Sequence, residues 1–460
     1  MPVYDWAVTD TADNRTPDKE KPFHLRGNYA PVMEEVTAFD LQVTGALPPE
    51  LSGRYLRNGA NPQSGKSPHW FAGDGMIHGI ELREGKALWY RNRWVQTRSL
   101  NEPSTRMIGD DGSIDRTIGV SNTHIIGHAG KILALVESSF PCELTPSLET
   151  VGPYDYNGKL ESAMTAHPKV CPVTGELHFF GYGFFEPYLT YNRVSAAGEL
   201  VQSEPIAVNG PTMMHDFSIT ENYVIFMDLP VVFDLDKAMT GGMPYAWDDD
   251  YPSRVGVMPR STDEATFGST DVTWFDVDPC YVFHPMNSFE DNAGRIVMDT
   301  ARYPELWRQD TNFQNDAALH RWTLDLTVGT VKESALDDRS IEFPRVAESL
   351  VGLENRFGYA VASFDEENSL VKYDLETGES VARDFGRSQI PGEAVFVPKE
   401  NSSAEDDGWL LAYVYDKPTD SSSFVVLDAA HMAAEPQAVV QLPQRIPFGF
   451  HGSWIADEQG

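Results

Sequence analysis

Four histidines of this chain share a setting that could bind a metal. Each lies beside small, proline or aromatic residues where a strand is predicted to end: His167 in TAHPK, His215 in MMHDF, His284 in FHPMN and His451 in FHGSW. Imidazole nitrogen is a common ligand of transition metals. A single histidine is more often a core or hydrogen-bonded residue. The four together therefore predict a metal centre only if the fold brings distant strand ends to one axis.

The elements that must position these histidines are predicted to be β-strands. Short apolar or alternating runs bounded by Gly, Asp, Asn and Pro recur along the chain, as in ILALVES, ELHFFGY, YVIFMDL, RIVMDT, GWLLAYVY and SFVVLD. Several runs are joined by a turn whose glycine can supply the positive φ of a tight hairpin, as in LREGKALWY, CPVTGELHFF, VSAAGELV and YDLETGESVA. The chain is therefore predicted to be all-β.

Antiparallel hairpins that continue without a Pro/Ser-rich linker favour a β-propeller over a series of separate sandwiches. We expect residues 27–460 to form one propeller domain, preceded by an N-terminal extension at 1–26. Residues 230–273 have mixed helical and loop character and are expected to form a cap insertion. A propeller brings strand ends to its axis, as the four histidines require.

Composition excludes some functions. Lys and Arg number 35 against 69 Asp and Glu, which gives a formal net charge of -34 and disfavours binding to nucleic acid or to anionic lipid. A weak membrane contact through an apolar patch stays compatible with this charge. Cys142, Cys171 and Cys280 form no CxxC motif and are expected to be reduced and buried. The first residues lack the pattern of a secretory leader, so we expect a cytoplasmic protein.

The four histidine contexts, in this order, resemble the iron-binding histidines of the carotenoid cleavage oxygenase family, which includes lignostilbene dioxygenases and the retinal isomerase of the eye. The N-terminal part agrees, since GNYAPV from Gly27, the segment LPPELSGRYLRNGANP and WFAGDGMIHGI from Trp70 look like the family's opening strands. The resemblance runs from about Gly27 to Trp454. It implies a seven-bladed β-propeller, a loop and helix cap over an axial site, and one Fe2+ per chain on the four histidines.

Three glutamates fall in contexts that match the family's acids beside the imidazoles. They are Glu137 in LALVES, Glu342 in IEFPR and Glu393 in PGEAVFVP. Surface exposure is the usual place of a glutamate, but these three have apolar neighbours. A carboxylate that accepts the distal N–H of a metal-bound imidazole fixes its tautomer. The resemblance therefore implies that all three hydrogen-bond to the histidines without binding the metal.

Other residues near these motifs receive separate interpretations. Thr123 resembles the family threonine whose methyl group partly occludes a position at the iron, although an ordinary strand threonine fits the pattern equally well. His78 lies in a run that predicts a structural hairpin, and we do not expect it to bind the metal. His124 and His128 have the i, i+4 spacing of a helical metal pair, but their β-rich context favours a structural or exposed position.

The chemistry implied is the oxidative cleavage of a carbon–carbon double bond by O2 into two carbonyl products. An electron-rich alkene supplies the electrons, so no flavin, nicotinamide or 2-oxo acid is needed, and the chain has no nucleotide-binding glycine motif. Such an enzyme needs a dry tunnel that places one double bond at the metal. Aromatic residues close to the motifs are candidates for its lining, with core packing as the alternative for each: Trp70, Phe71, Phe283, Phe289 and Phe450.

The expected substrate is an apolar polyene, a carotenoid or apocarotenoid. Relatives that cleave phenolic stilbenes and styrenes carry a lysine immediately before the first of the three glutamates, whereas this chain has Val136. Valine cannot stabilise a phenolate. Cleavage of a phenolic stilbene or styrene is the alternative. Two further classes stay open: a ligand-binding propeller without catalysis, and a propeller hydrolase with calcium or zinc on carboxylates.

Overall fold

The computed structural model describes residues 21–239, 243–260, 272–311, 313, 316–364 and 367–457. The chain divides into two compact units. Of the described residues, 155–358 form the central unit, and 21–154 with 359–457 form the terminal unit. Most of the predicted N-terminal extension and parts of the predicted cap insertion, at 240–242 and 261–271, lie outside the described residues. The single domain stays a prediction.

The terminal unit is built from antiparallel sheets. Its first sheet has the order β1-β5-β4-β3-β32 and comprises β1 (Thr37–Ala38), β3 (Gly53–Ala60), β4 (Gly75–Arg83), β5 (Lys86–Trp94) and β32 (Gly452–Ala456). The second comprises β6 (His124–His128), β7 (Lys131–Leu135), β8 (Cys142–Leu144) and β9 (Thr150–Pro153). The third has the order β2-β31-β30-β29-β27, with β28 also on β29, and comprises β2 (Val43–Gly45), β27 (Gln389–Pro391), β28 (Val395–Pro398), β29 (Gly408–Asp416), β30 (Ser421–Asp428) and β31 (Ala438–Gln441). Strands β25 (Glu367–Asp374) and β26 (Glu379–Asp384) form a hairpin, and β24 (Phe357–Phe364) precedes them.

The central unit is also antiparallel. One sheet runs β10 (Lys169–Val170), β11 (Leu177–Tyr182), β12 (Leu189–Val194) and β13 (Leu200–Pro205). Another has the order β14-β15-β18-β19 and comprises β14 (Ser218–Ile219), β15 (Tyr223–Asp228), β18 (Arg254–Pro259) and β19 (Thr273–Asp276). Strands β16 (Val231–Phe233) and β17 (Tyr245–Trp247) form a separate hairpin. The remaining strands of this unit pair with their neighbours in chain order within one sheet: β20 (Tyr281–Glu290), β21 (Ile296–Tyr303), β22 (Ala318–Asp325) and β23 (Thr330–Arg345).

Helical structure is sparse in the described residues. The α-helices are α1 (Arg98–Asn101) and α2 (Leu235–Met239). Single turns of 3-10 helix lie at Phe23–Leu25, Gly27–Tyr29, Trp70–Ala72, Glu348–Leu350 and Ala429–His431. Within the part of the chain that the structure describes, no helix is long and apolar enough to cross a bilayer.

The predicted hairpin turns are confirmed. Gly85 joins β4 to β5, Gly175 joins β10 to β11, Gly198 joins β12 to β13 and Gly378 joins β25 to β26, all with φ between 71° and 85°. A residue with a β-carbon is strained at such a φ, so glycine makes these turns at low cost. All six apolar runs named above coincide with strands, among them GWLLAYVY in β29. Cys142, Cys171 and Cys280 are free and buried, as expected.

The two ends of the described chain are paired into the same unit. Near the N-terminal end, β2 pairs with β31 through Val43 and Val440. At the C-terminal end, β32 pairs with β3 from Gly53 to Arg57. Aromatic and aliphatic side chains fill the core of this unit, among them Tyr55, Tyr90, Leu411, Tyr413 and Phe424. Because His451 directly precedes β32, this closure also fixes one of the candidate ligands.

Candidate metal centre

The four histidines are all buried. His167 lies in the loop before β10, His215 in the loop before β14, and His451 directly before β32. His284 differs from the prediction of a strand end, because it lies within β20, where the register shifts between Val282 and Pro285. An irregular strand position changes the direction of its side chain relative to a regular pleat.

Ring nitrogens of these histidines converge. The Nε2 atoms of His167 and His215 lie 2.9 Å apart, and those of His215 and His284 lie 3.2 Å apart. One ligating atom from each of His167, His215, His284 and His451 can be chosen so that all four lie within 4.8 Å of one another. The group contains no carboxylate.

The donor spacing fits a transition metal. Two nitrogens at ~2.1 Å from one ion would lie ~3.0 Å apart at a right angle and ~3.4 Å apart in a tetrahedron. The observed 2.9 and 3.2 Å lie close to these values, so one ion could contact the Nε2 atoms of His167, His215 and His284 together. Hydrogen bonds alone explain the group poorly, because one N–H at His215 Nε2 cannot be directed at both neighbouring nitrogens. Four neutral nitrogens and no thiolate suit a divalent ion such as iron.

Glu342 and Glu393 set the tautomers of two imidazoles. The Nδ1 of His284 lies 2.6 Å from Glu342 Oε2, and the Nδ1 of His451 lies 2.9 Å from Glu393 Oε1. An ionised carboxylate can only accept, so Nδ1 carries the proton in both rings and Nε2 keeps its lone pair for a metal. Backbone N–H groups complete the arrangement, from Phe343 to Glu342 at 2.8 Å and from Gly452 to Glu393 at 2.9 Å.

The residue after Glu342 has an unusual backbone. Phe343 has a φ of 52°, in the left-handed region that few residues with a β-carbon adopt. Its ring stacks on that of His284, with centroids 5.4 Å apart and planes at 26°. We attribute the conformation to these two contacts, since the same backbone turn brings the Phe343 N–H to Glu342 and the Phe343 ring to His284. Sequence patterns gave no indication of this residue.

Asp216 was also missed by the sequence analysis. This buried carboxylate has one oxygen 3.7 Å from His167 Nδ1 and the other 2.8 Å from the Lys169 amine. Burial raises the pKa of Asp216, and Lys169 opposes that rise. Its position directly after His215 was the available signal. Glu137 is half-buried directly after β7 and Val136, and its predicted role beside the imidazoles stays a prediction.

Two aromatic groups lie beside the histidines. In the central unit the Phe283 ring contacts His215 with centroids 5.0 Å apart, and it also packs on Trp307 and Phe313. Phe289, on the same strand, has no ring contact with another described aromatic residue. The predicted places of these rings in a substrate cavity stay predictions.

In the terminal unit the second group surrounds Phe450, the residue before His451. The Trp70 and Phe71 rings lie 4.6 and 5.6 Å from the Phe450 ring. Tyr29 and Phe448 extend this group, with Tyr29 5.3 Å from Trp70 and 5.2 Å from Phe448. Sequence reasoning identified three of these five aromatic residues. Tyr29 and Phe448 could have been found because they lie in or beside motifs already recognised.

Thr123 and Val136 are placed close to the motifs that carry the centre. The Thr123 carbonyl accepts the N–H of His451 at 3.1 Å, and the Thr123 hydroxyl donates to Asn122 Oδ1 at 2.9 Å. Val136 is buried between β7 and Glu137. The methyl group of Thr123 as a partial block at the metal stays a prediction.

The remaining motif histidines lie on strands. His78 is buried on β4, and its Nδ1 lies 2.9 Å from the Tyr90 hydroxyl. Burial, followed by the nearby Arg57, holds the pKa of His78 well below its usual value. His124 and His128 begin and end β6, so a strand and not a helix carries this pair. None of the three belongs to the convergent group.

The fold and the site together define a class: an all-β protein with a buried four-histidine group that could hold a metal ion. Residues 29–456 match the family described as "Retinal pigment epithelial membrane protein". The chain is 41% identical over 495 residues to a carotenoid cleavage oxygenase of Mycobacterium tuberculosis, covering 94% of this chain and 97% of the relative. It is 35% identical to the carotenoid 9,10(9',10')-cleavage dioxygenase of Crocus sativus, and the match covers 96% of this chain and 91% of the relative. The chain belongs to the carotenoid cleavage oxygenase family.

Solved structures agree. The lignostilbene dioxygenase of Pseudomonas brassicacearum superimposes with a TM-score of 0.85 and 29% identity, over 95% of this chain and 99% of that one. A cobalt-substituted ACO of Synechocystis superimposes with a TM-score of 0.82 and 28% sequence identity, over 93% of this chain and 97% of that one. Structures of this family are seven-bladed β-propellers, so the predicted fold class is confirmed, and so is the prediction of an oxygenase.

Proposed function

We propose that this protein cleaves a carbon–carbon double bond of a carotenoid or apocarotenoid with O2, at one Fe2+ held by His167, His215, His284 and His451. The observation that carries the proposal is the convergence of four buried imidazoles without a carboxylate. The family membership supports it, since relatives of this chain are named carotenoid cleavage enzymes. The net reaction joins one C=C and one O2 into two C=O groups, so the alkene supplies all the electrons.

The protein's own contribution is orientation and exclusion of water. When bound, Fe2+ would supply a redox-active ion with positions open to O2. Glu342 and Glu393 hold His284 and His451 with Nε2 unprotonated. We propose that Glu137 accepts a hydrogen bond from a further imidazole. We propose that the methyl group of Thr123 partly blocks one coordination position at the iron. The Phe283 ring packs on His215, and Phe450 directly precedes His451. Both rings would keep the reacting double bond in an apolar environment.

Val136 supports the choice of a polyene. A buried valine offers a phenol oxygen neither charge nor hydrogen bond, and phenol recognition depends on such a partner. The second candidate is a phenolic stilbene or styrene, favoured by the likeness to lignostilbene dioxygenase.

The cytoplasmic location stays a prediction, and the predicted membrane contact has no support and is not part of the proposal.

Product analysis tests this function. Purified, iron-loaded protein should be given β-carotene, an apocarotenal and a 4-hydroxystilbene in parallel, with products identified by mass spectrometry. We expect two carbonyl fragments from a carotenoid or apocarotenoid and little product from the stilbene. Cleavage of the stilbene alone would replace the proposal by the second candidate, and intact substrates throughout would overturn it.

A further inference from the structure

Arg57 is a buried cation on β3 that the mechanism above does not use. It is paired in register with Gly452 on β32, the residue that follows His451. A buried charge is costly unless it has partners. The contacts of this guanidinium therefore indicate its role in the protein.

The guanidinium contacts the backbone beside His451. Its Nη2 donates to the carbonyl of Pro447, four residues before the histidine. A β-carbon on Gly449 would lie 3.2 Å from Arg57 Nε and 3.3 Å from Cζ, so glycine leaves room for the guanidinium there. The segment that leads into His451 is thus packed directly on Arg57.

The same group also packs beside Glu393. A β-carbon on Gly392, the preceding residue, would lie 2.8 Å from Arg57 Nη1. The Gly392 N–H donates to the Tyr413 carbonyl at 2.9 Å, and the Tyr413 ring lies 5.5 Å from Arg57 Cζ, within the range of a cation–π contact. The Tyr55 hydroxyl donates to the Glu393 carbonyl at 3.3 Å. Burial lowers the pKa of Arg57, and the nearby Glu393 carboxylate is among the groups that oppose this shift.

We propose that Arg57 is a positioning residue, which holds the Pro447–His451 segment and the Gly392–Glu393 segment in the relative position that the Glu393–His451 hydrogen bond needs. The planar guanidinium presents its nitrogens to the two segments in a fixed geometry, whereas a lysine amine is a point charge on a flexible stem and fixes their relative position less well. Without it, each segment keeps its own strand but loses the common contact. This inference rests on the proposed metal centre and adds a residue outside it.

The test is metal affinity, measured without substrate. Metal-free wild type, Arg57→Met and Arg57→Lys would be titrated anaerobically with Co2+, which gives both a dissociation constant and ligand-field absorption bands. Arg54→Met is the matched control, because Arg54 lies on the same strand and pairs instead with Glu81 at 2.7 Å and Asp457 at 2.7 Å. Thermal melting would show which variants fold.

We expect Arg57→Met to bind Co2+ about 10-fold more weakly, at the lower end of the loss typical for a direct outer partner of a ligand, because Arg57 acts through the segments that carry Glu393 and His451. Its absorption bands should change as His451 loses its orientation. Arg57→Lys should recover part of the affinity, remaining about fivefold weaker than wild type. Arg54→Met should lose thermal stability but keep wild-type affinity and bands. If Arg57→Met does not fold, Arg57→Lys carries the test.

Wild-type affinity and bands in a folded Arg57 variant would overturn the inference while leaving the metal centre intact. Equal losses in Arg54→Met and Arg57→Met would also overturn it, since the effect would then be general destabilisation. A wild type that binds no Co2+ would instead overturn the proposed metal centre, and this inference with it.

Discussion

Replacing Glu393 with glutamine should weaken metal binding more than the same change at Glu342, because the two carboxylates use their oxygens differently. Glu393 accepts from His451 on Oε1 and from the Gly452 N–H on Oε2, both at 2.9 Å. Glu342 accepts from His284 at 2.6 Å and from the Phe343 N–H at 2.8 Å, both on Oε2. Glutamine has one accepting oxygen, so it can keep both bonds at position 342 but only one at position 393.

The magnitudes follow from this count. At position 342 the change removes charge assistance from two bonds, ~1.4 kcal/mol in total, which is about tenfold in affinity. At position 393 one buried N–H also loses its acceptor, which costs ~1–3 kcal/mol more. If the amide NH2 faces Nδ1, it favours His451 with Nε2 protonated, a tautomer that cannot bind a metal. We therefore expect a loss of about 100-fold or more for Glu393→Gln.

The assay is anaerobic competition for Fe2+ between the protein and a chelator of known affinity. Wild type, Glu342→Gln and Glu393→Gln would be compared after thermal melting shows that each is folded. If a folded Glu342→Gln lost as much affinity as Glu393→Gln, or more, the number of carboxylate oxygens used for hydrogen bonds would not determine the metal affinity.

Three further predictions concern ligation, specificity and pH. His284→Ala should abolish both iron retention and turnover; a folded variant that keeps its iron by metal analysis and keeps full activity would show that His284 is not a ligand, and full activity without iron would contradict the metal centre itself. Val136→Lys should lower kcat/KM for an apocarotenal, because it buries an unpaired amine; an unchanged value would show that Val136 does not face the substrate. Burial holds the pKa values of the His78 and His178 side chains well below 6.5. As pH falls below about 6.5, these two histidines therefore bind protons in the unfolded state before they do in the folded state. The free energy of unfolding should be constant with respect to these groups above about pH 6.5 and decrease below it, by up to ~1.4 kcal/mol per pH unit for each histidine. Urea unfolding at pH 7.5 and 5.5 should show a smaller difference in His78→Gln than in wild type, and equal differences would contradict this.

Much of the strand structure could be predicted from the sequence, because local signals determine it. A glycine such as Gly85 or Gly378 forces a turn between two alternating runs, and each run then forms a strand. The identity of the four histidines and the three glutamates came from resemblance to a family. Spacing alone could not give it, since His167 and His451 are far apart in the chain.

The contacts that the sequence analysis missed are long-range or irregular. Arg57 bonds to Pro447, 390 residues away, and no local pattern encodes such a pair. Phe343 needs a positive φ that its residue type disfavours, so tertiary contacts and not propensity set it. The place of His284 inside β20 follows from a register shift that hydrophobic alternation does not show. In the proposed metal centre, Arg57 would help to orient His451 and Phe343 would help to orient His284.

If iron on the four histidines cleaves a polyene with O2, the uptake of O2 must match the number of double bonds cleaved. Metal-free protein would be loaded with Fe2+ or with Zn2+, mixed with an apocarotenal, and followed by an oxygen electrode together with mass spectrometry of the products. We expect the Fe2+ protein to consume one O2 for each double bond cleaved into two carbonyl compounds, and the Zn2+ protein to consume none. Equal cleavage by the Zn2+ and Fe2+ proteins, or an Fe2+ protein that binds its metal and leaves the apocarotenal intact, would contradict this expectation.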